Sequence, residues 1–163
     1  MTAKTYPLTG TVGARVMHPS DAEPLHAAYM LNRNHLAPWG PDRPAAFYTD
    51  EGQAEVIGSK LAQHAAGSEV PFILLEDERV VGTLTVSSIM RGPFLSANLG
   101  YWVDQEFTGR GIGSAAVAFA LDYSRKELGC TGFRRPRSST MQLPKRSLGR
   151  RASRRSGWLP RTC

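Results

Sequence analysis

The chain has almost no cysteine, no long apolar run, and no acidic residue at all after Gly129. Each absence excludes something. The two cysteines, Cys130 and Cys163, make neither a disulfide framework nor a metal-ligand set. The four histidines (His18, His26, His35, His64) have no HxH or HExxH spacing, so no metal site is expected. No apolar stretch reaches the length of a membrane span, and the opening MTAKTYPLTG lacks the apolar block of a secretory signal. The expectation is a cytoplasmic chain with no membrane partner. At 163 residues it is one domain's worth of sequence.

The formal charge of +6 is misleading as an average. Residues 1–129 hold 10 Lys+Arg and 14 Asp+Glu, a net −4, whereas residues 130–163 hold 10 Lys+Arg and no acid, a net +10. The boundary lies within ELGCTGFRRPRSS, where a mildly acidic domain gives way to an arginine-rich ending.

Before that boundary the pattern alternates between strand and helix signals. A short strand is expected around Ala14–Met17, then a helix entered through Ser20-Asp21-Ala22-Glu23, read as a capping box, with Leu25, Ala28, Tyr29 and Leu36 at helical spacing. Pro38-Trp39-Gly40-Pro41 and Pro44 break the chain into a loop. Thr49 caps a second helix over Asp50–Ala66, stopped by Gly67. Two β-rich runs, Phe72–Leu75 and Val80–Ile89, flank Glu76-Asp77-Glu78-Arg79 as a hairpin. After an Arg91-Gly92-Pro93 loop comes a further strand, Ala97–Val103, and then a helix over Ile112–Leu128. The fold class is α+β, a largely antiparallel sheet with flanking helices.

The chemistry is concentrated in LGYWVDQEFTGRGIGSAAVAFALDY, where a strand ends, a loop with Gly109, Gly111 and Gly113 follows, and a helix begins at once. Glycines there leave backbone N–H groups open to an anion, the helix start adds donors and the positive end of its dipole, and Arg110 supplies a side-chain phosphate contact. The loop asks for a phosphate ligand, most simply a pyrophosphate. It is not a P-loop, because no lysine follows the glycines. It is not a dinucleotide fingerprint either: Ser114 occupies the third glycine position and no acid stands some twenty residues on.

The loop from Thr108 to Gly113 does match the (Q/R)xxGx(G/A) pattern of the GNAT acetyltransferases. With NRNHLAPW, VVGTLTVSSI and LGYWVDQEFTGRGIG in family order over residues 12–129, the chain resembles the RimJ/RimL-type branch of that family. The resemblance implies the acyl-CoA acyltransferase fold, with acetyl-CoA as co-substrate along the strand Ala97–Val103. It assigns the pantetheine arm to the backbone of Trp102 and Val103, and the pyrophosphate to the N–H groups of Thr108, Gly109, Arg110, Gly111, Ile112, Gly113 and Ser114. It further implies a primary-amine acceptor, either the N-terminus of a ribosomal protein or a small amine, in a pocket involving Trp39, Asn98, Tyr101, Phe47 and Trp102. For each aromatic, ordinary core packing is the competing reading.

Two departures qualify these assignments. Thr108 stands where the family has Gln or Arg. Asn98 stands where many relatives carry a glutamate base, so no catalytic base is assigned.

The family then continues with LHRV, a strand, a DNxAS helix and an AGF turn, and none of these follows Gly129 here. Three readings of residues 130–163 compete: an RNA-binding arm, which would make the chain a non-catalytic basic protein on a degenerate acyltransferase fold; a solvated, disordered tail; and a slip of reading frame. From Gly129 on, combining the last base of each codon with the first two of the next lets the same residues also encode LHRV and DNAAS. Met141-Gln142 forces an alanine within that DNAAS run, and Trp158-Leu159 permits only alanine or valine. On this reading residues 1–129 are the N-terminal portion of the domain and 130–163 a replaced ending. The fold would be incomplete after Ile112–Leu128, the edge of Ala97–Val103 unpaired, and the activity reduced.

Overall fold

The computed structural model describes residues 4–90 and 96–129, and the backbone of 132–134. Its centre is β3 (Val70–Glu76), whose VPFIL run is buried on both faces, as befits a strand with helices above and below. Phe72 and Leu74 point to one layer, while Ile73 and the half-buried Leu75 point to the other. The remaining strands are β1 (Tyr6–Thr9), β2 (Val12–Val16), β4 (Arg79–Met90), β5 (Ser96–Val103) and β6 (Gly132–Arg134). They form one sheet in sequence order, antiparallel throughout except for the parallel β5–β6 pair.

Helices α1 (Ala22–Leu31), the single turn α2 (Arg33–Leu36) and α3 (Asp50–Ala65) precede β3. The amphipathic α4 (Ile112–Glu127) follows β5. On its face of the sheet, Ile112, Ala116 and Ala120 are buried with Phe72, Leu74, Leu84 and Val86. Phe72 there meets Phe119 and Tyr123 edge-on, at ring separations of 5.1 and 5.0 Å. On the other face Met17, Leu25, Ala28, Ile57, Ile73, Val80 and Trp102 form a second core under α1 and α3. The architecture is the α+β one expected, with two helical layers around the sheet.

Several boundaries correct the sequence reading. Strand β1 was not anticipated, because YPLT is short and interrupted by Pro7. The capping box lies two residues earlier than Ser20 and closes a 3₁₀ turn ahead of α1, whose own N-cap, Asp21, makes no side-chain cap bond. His18 accepts from the Ser20 N–H through Nδ1 at 3.2 Å, and Asp21 accepts from the His18 N–H at 2.7 Å, around a 3₁₀ turn over Pro19–Asp21. Thr49 caps α3 as expected, accepting from Gly52 N at 3.0 Å. Gly67 and Ser68 close that helix with paired bonds to His64 and Gln63, a Schellman ending. The hairpin turns on Asp77-Glu78, with Asp77 at φ +54°. The edge of β5 is not wholly bare: Ser96, Ala97 and Asn98 pair with Gly132, Phe133 and Arg134. The Arg91-Gly92-Pro93 loop and residues 135–163 lie outside the described residues.

The carboxylate of Asp21, 3% exposed, ties the sheet to the first helix. Arg15 on β2 donates to both its oxygens at 2.8 and 2.6 Å, which holds the arginine's proton more tightly than usual. Replacing Asp21 with alanine leaves Arg15 and the His18 N–H without their acceptor. We predict a loss of about 2–3 kcal/mol in urea unfolding at unchanged m. A change below about 0.5 kcal/mol, typical of exposed ion pairs, would contradict the bridging role.

Candidate active site

β5 and the loop after it carry the site. Between Asp104 and Thr108 the chain makes a 3₁₀ turn, Gln105–Phe107, capped by Asp104, which accepts from Glu106 N at 2.9 Å. Asp104 is 1% exposed and also receives Arg79 at 3.2 Å. The turn is fastened from across the molecule by Asn32, itself 1% exposed at the end of α1. Its Nδ2 donates to the Ala28 carbonyl at 2.9 Å, and its Oδ1 accepts from Gln105 N at 2.8 Å. Asn32, the first residue of the NRNHLAPW run, is thus a clamp between the first helix and the approach to the glycine loop.

The loop itself has the donor geometry that its sequence suggested. Gly109 and Gly111 both take φ +78°, which costs any side-chain-bearing residue strain, and Gly111 is the N-cap of α4. The first bond of the helix runs from Ala115 N to Gly111 O at 2.9 Å, so the N–H groups of Ile112, Gly113 and Ser114 precede the intrahelical ladder. Thr108 differs from its neighbours. Its hydroxyl (2.8 Å) and its N–H (3.3 Å) both donate to the Gln105 carbonyl, so the threonine standing in place of Gln or Arg is spent on the turn. Free loop donors therefore begin at Gly109. The Arg110 guanidinium lies 4.5 Å from the centre of the Phe107 ring and has no carboxylate partner among the described residues. Gly113 lets the helix approach Tyr101 closely, since a Cβ there would stand 3.2 Å from its ring.

Upstream of the loop, β5 is paired on one side with β4 throughout, with Trp102 opposite Thr83 and Val103 opposite Gly82. On its other side, β6 covers only residues 96–98. Among the described residues, no strand flanks Leu99–Val103 there, which leaves main-chain groups next to Trp102 and Val103 for an extended ligand arm.

The sheet face opposite α4 carries a cavity of about 410 Å³. Of the five expected acceptor-site residues, Trp39, Phe47, Asn98 and Trp102 line it, whereas Tyr101 borders it from β5 with its ring turned to the other face, against α4. Core packing and pocket lining prove compatible: Phe47 and Trp102 are 7% and 8% exposed, whereas Trp39 is 40% exposed at the rim. Trp102 donates from its indole to the Tyr29 hydroxyl at 2.9 Å. Burial is the main reason that hydroxyl is held above its ordinary pKa, so it stays protonated at neutral pH.

Sequence reasoning missed the polar wall. Thr83, Thr85 and Ser87 line the cavity from alternate positions of β4, and the alternation TLTVSS was the available signal. Lys60 on α3 and Glu69 before β3 meet at 2.8 Å, with Thr85 3.4 Å from the ammonium. Glu69 is the one carboxylate on the wall among the described residues, and Lys60 occupies it. Asn98 lines the cavity with an amide that cannot accept a proton, in keeping with the absence of an assigned base. Among the described residues there is no cluster of metal-binding side chains and no helix long and apolar enough to cross a membrane.

Comparison with known proteins agrees with this geometry. The acetyltransferase (GNAT) domain family matches residues 12–145, past the Gly129 boundary drawn from the sequence. The [ribosomal protein uS5]-alanine N-acetyltransferase of Escherichia coli (strain K12) is 29% identical over 120 residues, 72% of this chain and 62% of the relative. The probable N-acetyltransferase YjcK of Bacillus subtilis (strain 168) is 30% identical over 120 residues, 72% of this chain and 66% of the relative. The matched part therefore spans less than two thirds of the length of these curated relatives. Among solved structures, the ribosomal-protein-S5-alanine acetyltransferase of Vibrio fischeri superposes with a TM-score of 0.73 at 30% identity, covering 78% of this chain and 70% of that one. Mycobacterium smegmatis RimJ, solved in complex with CoA-disulfide, gives 0.70 at 28% identity, covering 77% and 62%. Family match, fold and loop agree: the chain belongs to the GNAT acetyltransferases and is similar to their ribosomal-protein N-acetyltransferases.

Proposed function

We propose that the chain transfers the acetyl group of acetyl-CoA to a primary amine, with a protein N-terminus of the RimJ/RimL type as acceptor. The observation that carries this reading is the placement of the run of N–H groups after Gly109. They lie at the end of the same strand, β5, whose inner face forms the wall of the acceptor cavity. A pyrophosphate on Gly109–Ser114 and Arg110 directs a pantetheine arm back along Leu99–Val103, toward the amine.

In this reaction the neutral amine attacks the thioester carbonyl. The N–C bond forms, the C–S bond breaks, and the proton shed by the nitrogen ends on the departing thiolate, giving CoA-SH. The ammonium form of the acceptor first gives its other proton to solvent. Among the described residues the one carboxylate on the wall, Glu69, is held by Lys60 rather than free to act as a base. The rate then rests on holding thioester and amine in line and on N–H donors to the developing oxyanion. The ribosomal acceptor is supported by the likeness to the uS5-alanine enzyme. The RNA-binding alternative draws only on residues after Gly129 and gains no support from the cavity.

With this we propose that the ending after Gly129 derives from a frame slip and that it slows turnover, since the family's LHRV and DNxAS motifs are absent from the sequence and, among the described residues, β6 pairs with only three residues of β5.

Thiol release from acetyl-CoA in the presence of a ribosomal-protein N-terminal peptide is the test of activity. Arg110→Ala is expected to raise the KM for acetyl-CoA about tenfold with little change in kcat, as for loss of one charge-assisted phosphate contact. Gly111→Ala is expected to weaken CoA binding by a similar factor, because the left-handed backbone costs about 1–2 kcal/mol. Unchanged KM in both would remove the loop from the cofactor site. A chain whose ending is rebuilt in the second frame is expected to turn over at least about tenfold faster. Equal turnover, or codons incompatible with that frame, would overturn the frame-slip proposal.

A further inference from the structure

The charge on the cavity wall is unbalanced. Among the described residues three basic side chains line it, Arg33, Arg43 and Lys60, against one carboxylate, Glu69. Lys60 and Glu69 neutralise one another. The two arginines find no carboxylate among the described residues. Both are nevertheless held. The Arg33 guanidinium lies 4.5 Å from the centre of the Tyr48 ring, and that of Arg43 lies 4.1 Å from Phe47 and 5.9 Å from Tyr29. Stacking on a ring face orients the plane of a guanidinium while leaving its N–H fork unspent. Two such forks on one concave wall repel a polycationic amine and match a ligand carrying carboxylates. Arg43 also acts electrostatically on the Tyr29 hydroxyl, which receives the Trp102 indole, so its field reaches the β5 side of the cavity.

We propose that the acceptor is the free amine of a peptide whose next residues are acidic. Arg33 and Arg43 receive the carboxylates, and the amine lies against Asn98 and Gly100 of β5. The inference rests on the acetyl-transfer reading for its reaction but concerns the acceptor alone. A small amino acid presents the same chemistry. The cavity volume of about 410 Å³ and the rim position of Trp39 favour a segment of several residues that enters from outside.

The test uses the full chain with CoA present and follows the fluorescence of the cavity tryptophans. The ligands are the free-amine peptides Ala-Asp-Glu-Gly-Gly and Ala-Lys-Lys-Gly-Gly, and glutamate alone. The acidic peptide is expected to bind about tenfold more tightly than the lysine peptide at low salt, and more tightly than glutamate. In the R33Q/R43Q double variant the preference should vanish. If that variant does not fold, the unaltered chain still decides, because the preference must collapse as ionic strength rises from about 0.02 to 0.5 M. Equal binding, no binding of either peptide, a salt-independent preference, or a preference that survives in the folded double variant overturns the proposal. Glutamate binding as tightly as the acidic peptide overturns the peptide assignment and gives the site to a small acid. Acetyl transfer is assayed separately on the same peptides: binding preference without transfer refutes the enzymatic reading alone, and transfer without preference refutes this one alone.

Discussion

Everything proposed for this molecule depends on the unequal support of one strand. β5 is paired with β4 from Asn98 to Val103 but, among the described residues, is flanked on its other side only at Ser96–Asn98. An evenly paired strand would be an ordinary sheet interior. Here Leu99–Val103 offer main-chain groups on one edge, pocket-forming side chains on one face, and a helix-facing surface on the other. The constraint is geometric before it is chemical: Asn98 and Trp102 reach the cavity from the strand, and Gly111 stands in the loop that follows it.

The second requirement is that the loop after β5 be held in place. Two buried polar residues do most of this, Asn32 from outside the loop and Asp104 from its base. Asn32 reaches across from α1 to the Gln105 N–H, and Asp104 gathers Glu106 N and Arg79 at the turn. A buried polar group is costly unless satisfied, and here each of the two is satisfied by the backbone that it positions. The cavity wall built on α1 and α2 and the turn that leads to the glycine loop are therefore mechanically joined through one asparagine. Packing alone would leave the loop free to shift, with a corresponding loss of alignment between donor and acceptor.

The parts of this architecture that could be read from sequence were those with local causes. Helix α3 announced itself by Thr49 and Gly67, α4 by the spacing of Ile112, Ala116, Phe119 and Tyr123, and the hairpin by Glu76–Arg79 between two β-rich runs. The glycine loop was legible because its chemistry is a property of consecutive backbone groups. The polar wall was not. Nothing in the local sequence singles out Lys60 or Glu69, and only the fold brings them together beside Thr85. Nor does it single out Arg33 and Arg43, whose placement over Tyr48 and Phe47 is a product of tertiary packing. The capping box was misplaced by two residues because the His18 side chain, rather than that of Ser20, accepts a free N–H, and it caps the 3₁₀ turn ahead of α1. Strand β1 has too few residues to signal itself and exists through its pairing with β2.

The central claim is that the Gly109–Ser114 loop recognises the pyrophosphate of CoA. Titration calorimetry comparing CoA with pantetheine, which keeps the arm and lacks the pyrophosphate, tests it most directly. The account predicts that CoA binds at least about a hundredfold more tightly, because the loop N–H groups and Arg110 contact only the part that pantetheine is missing. Equal affinity for the two would mean that the strand edge alone holds the ligand and that the loop has another purpose.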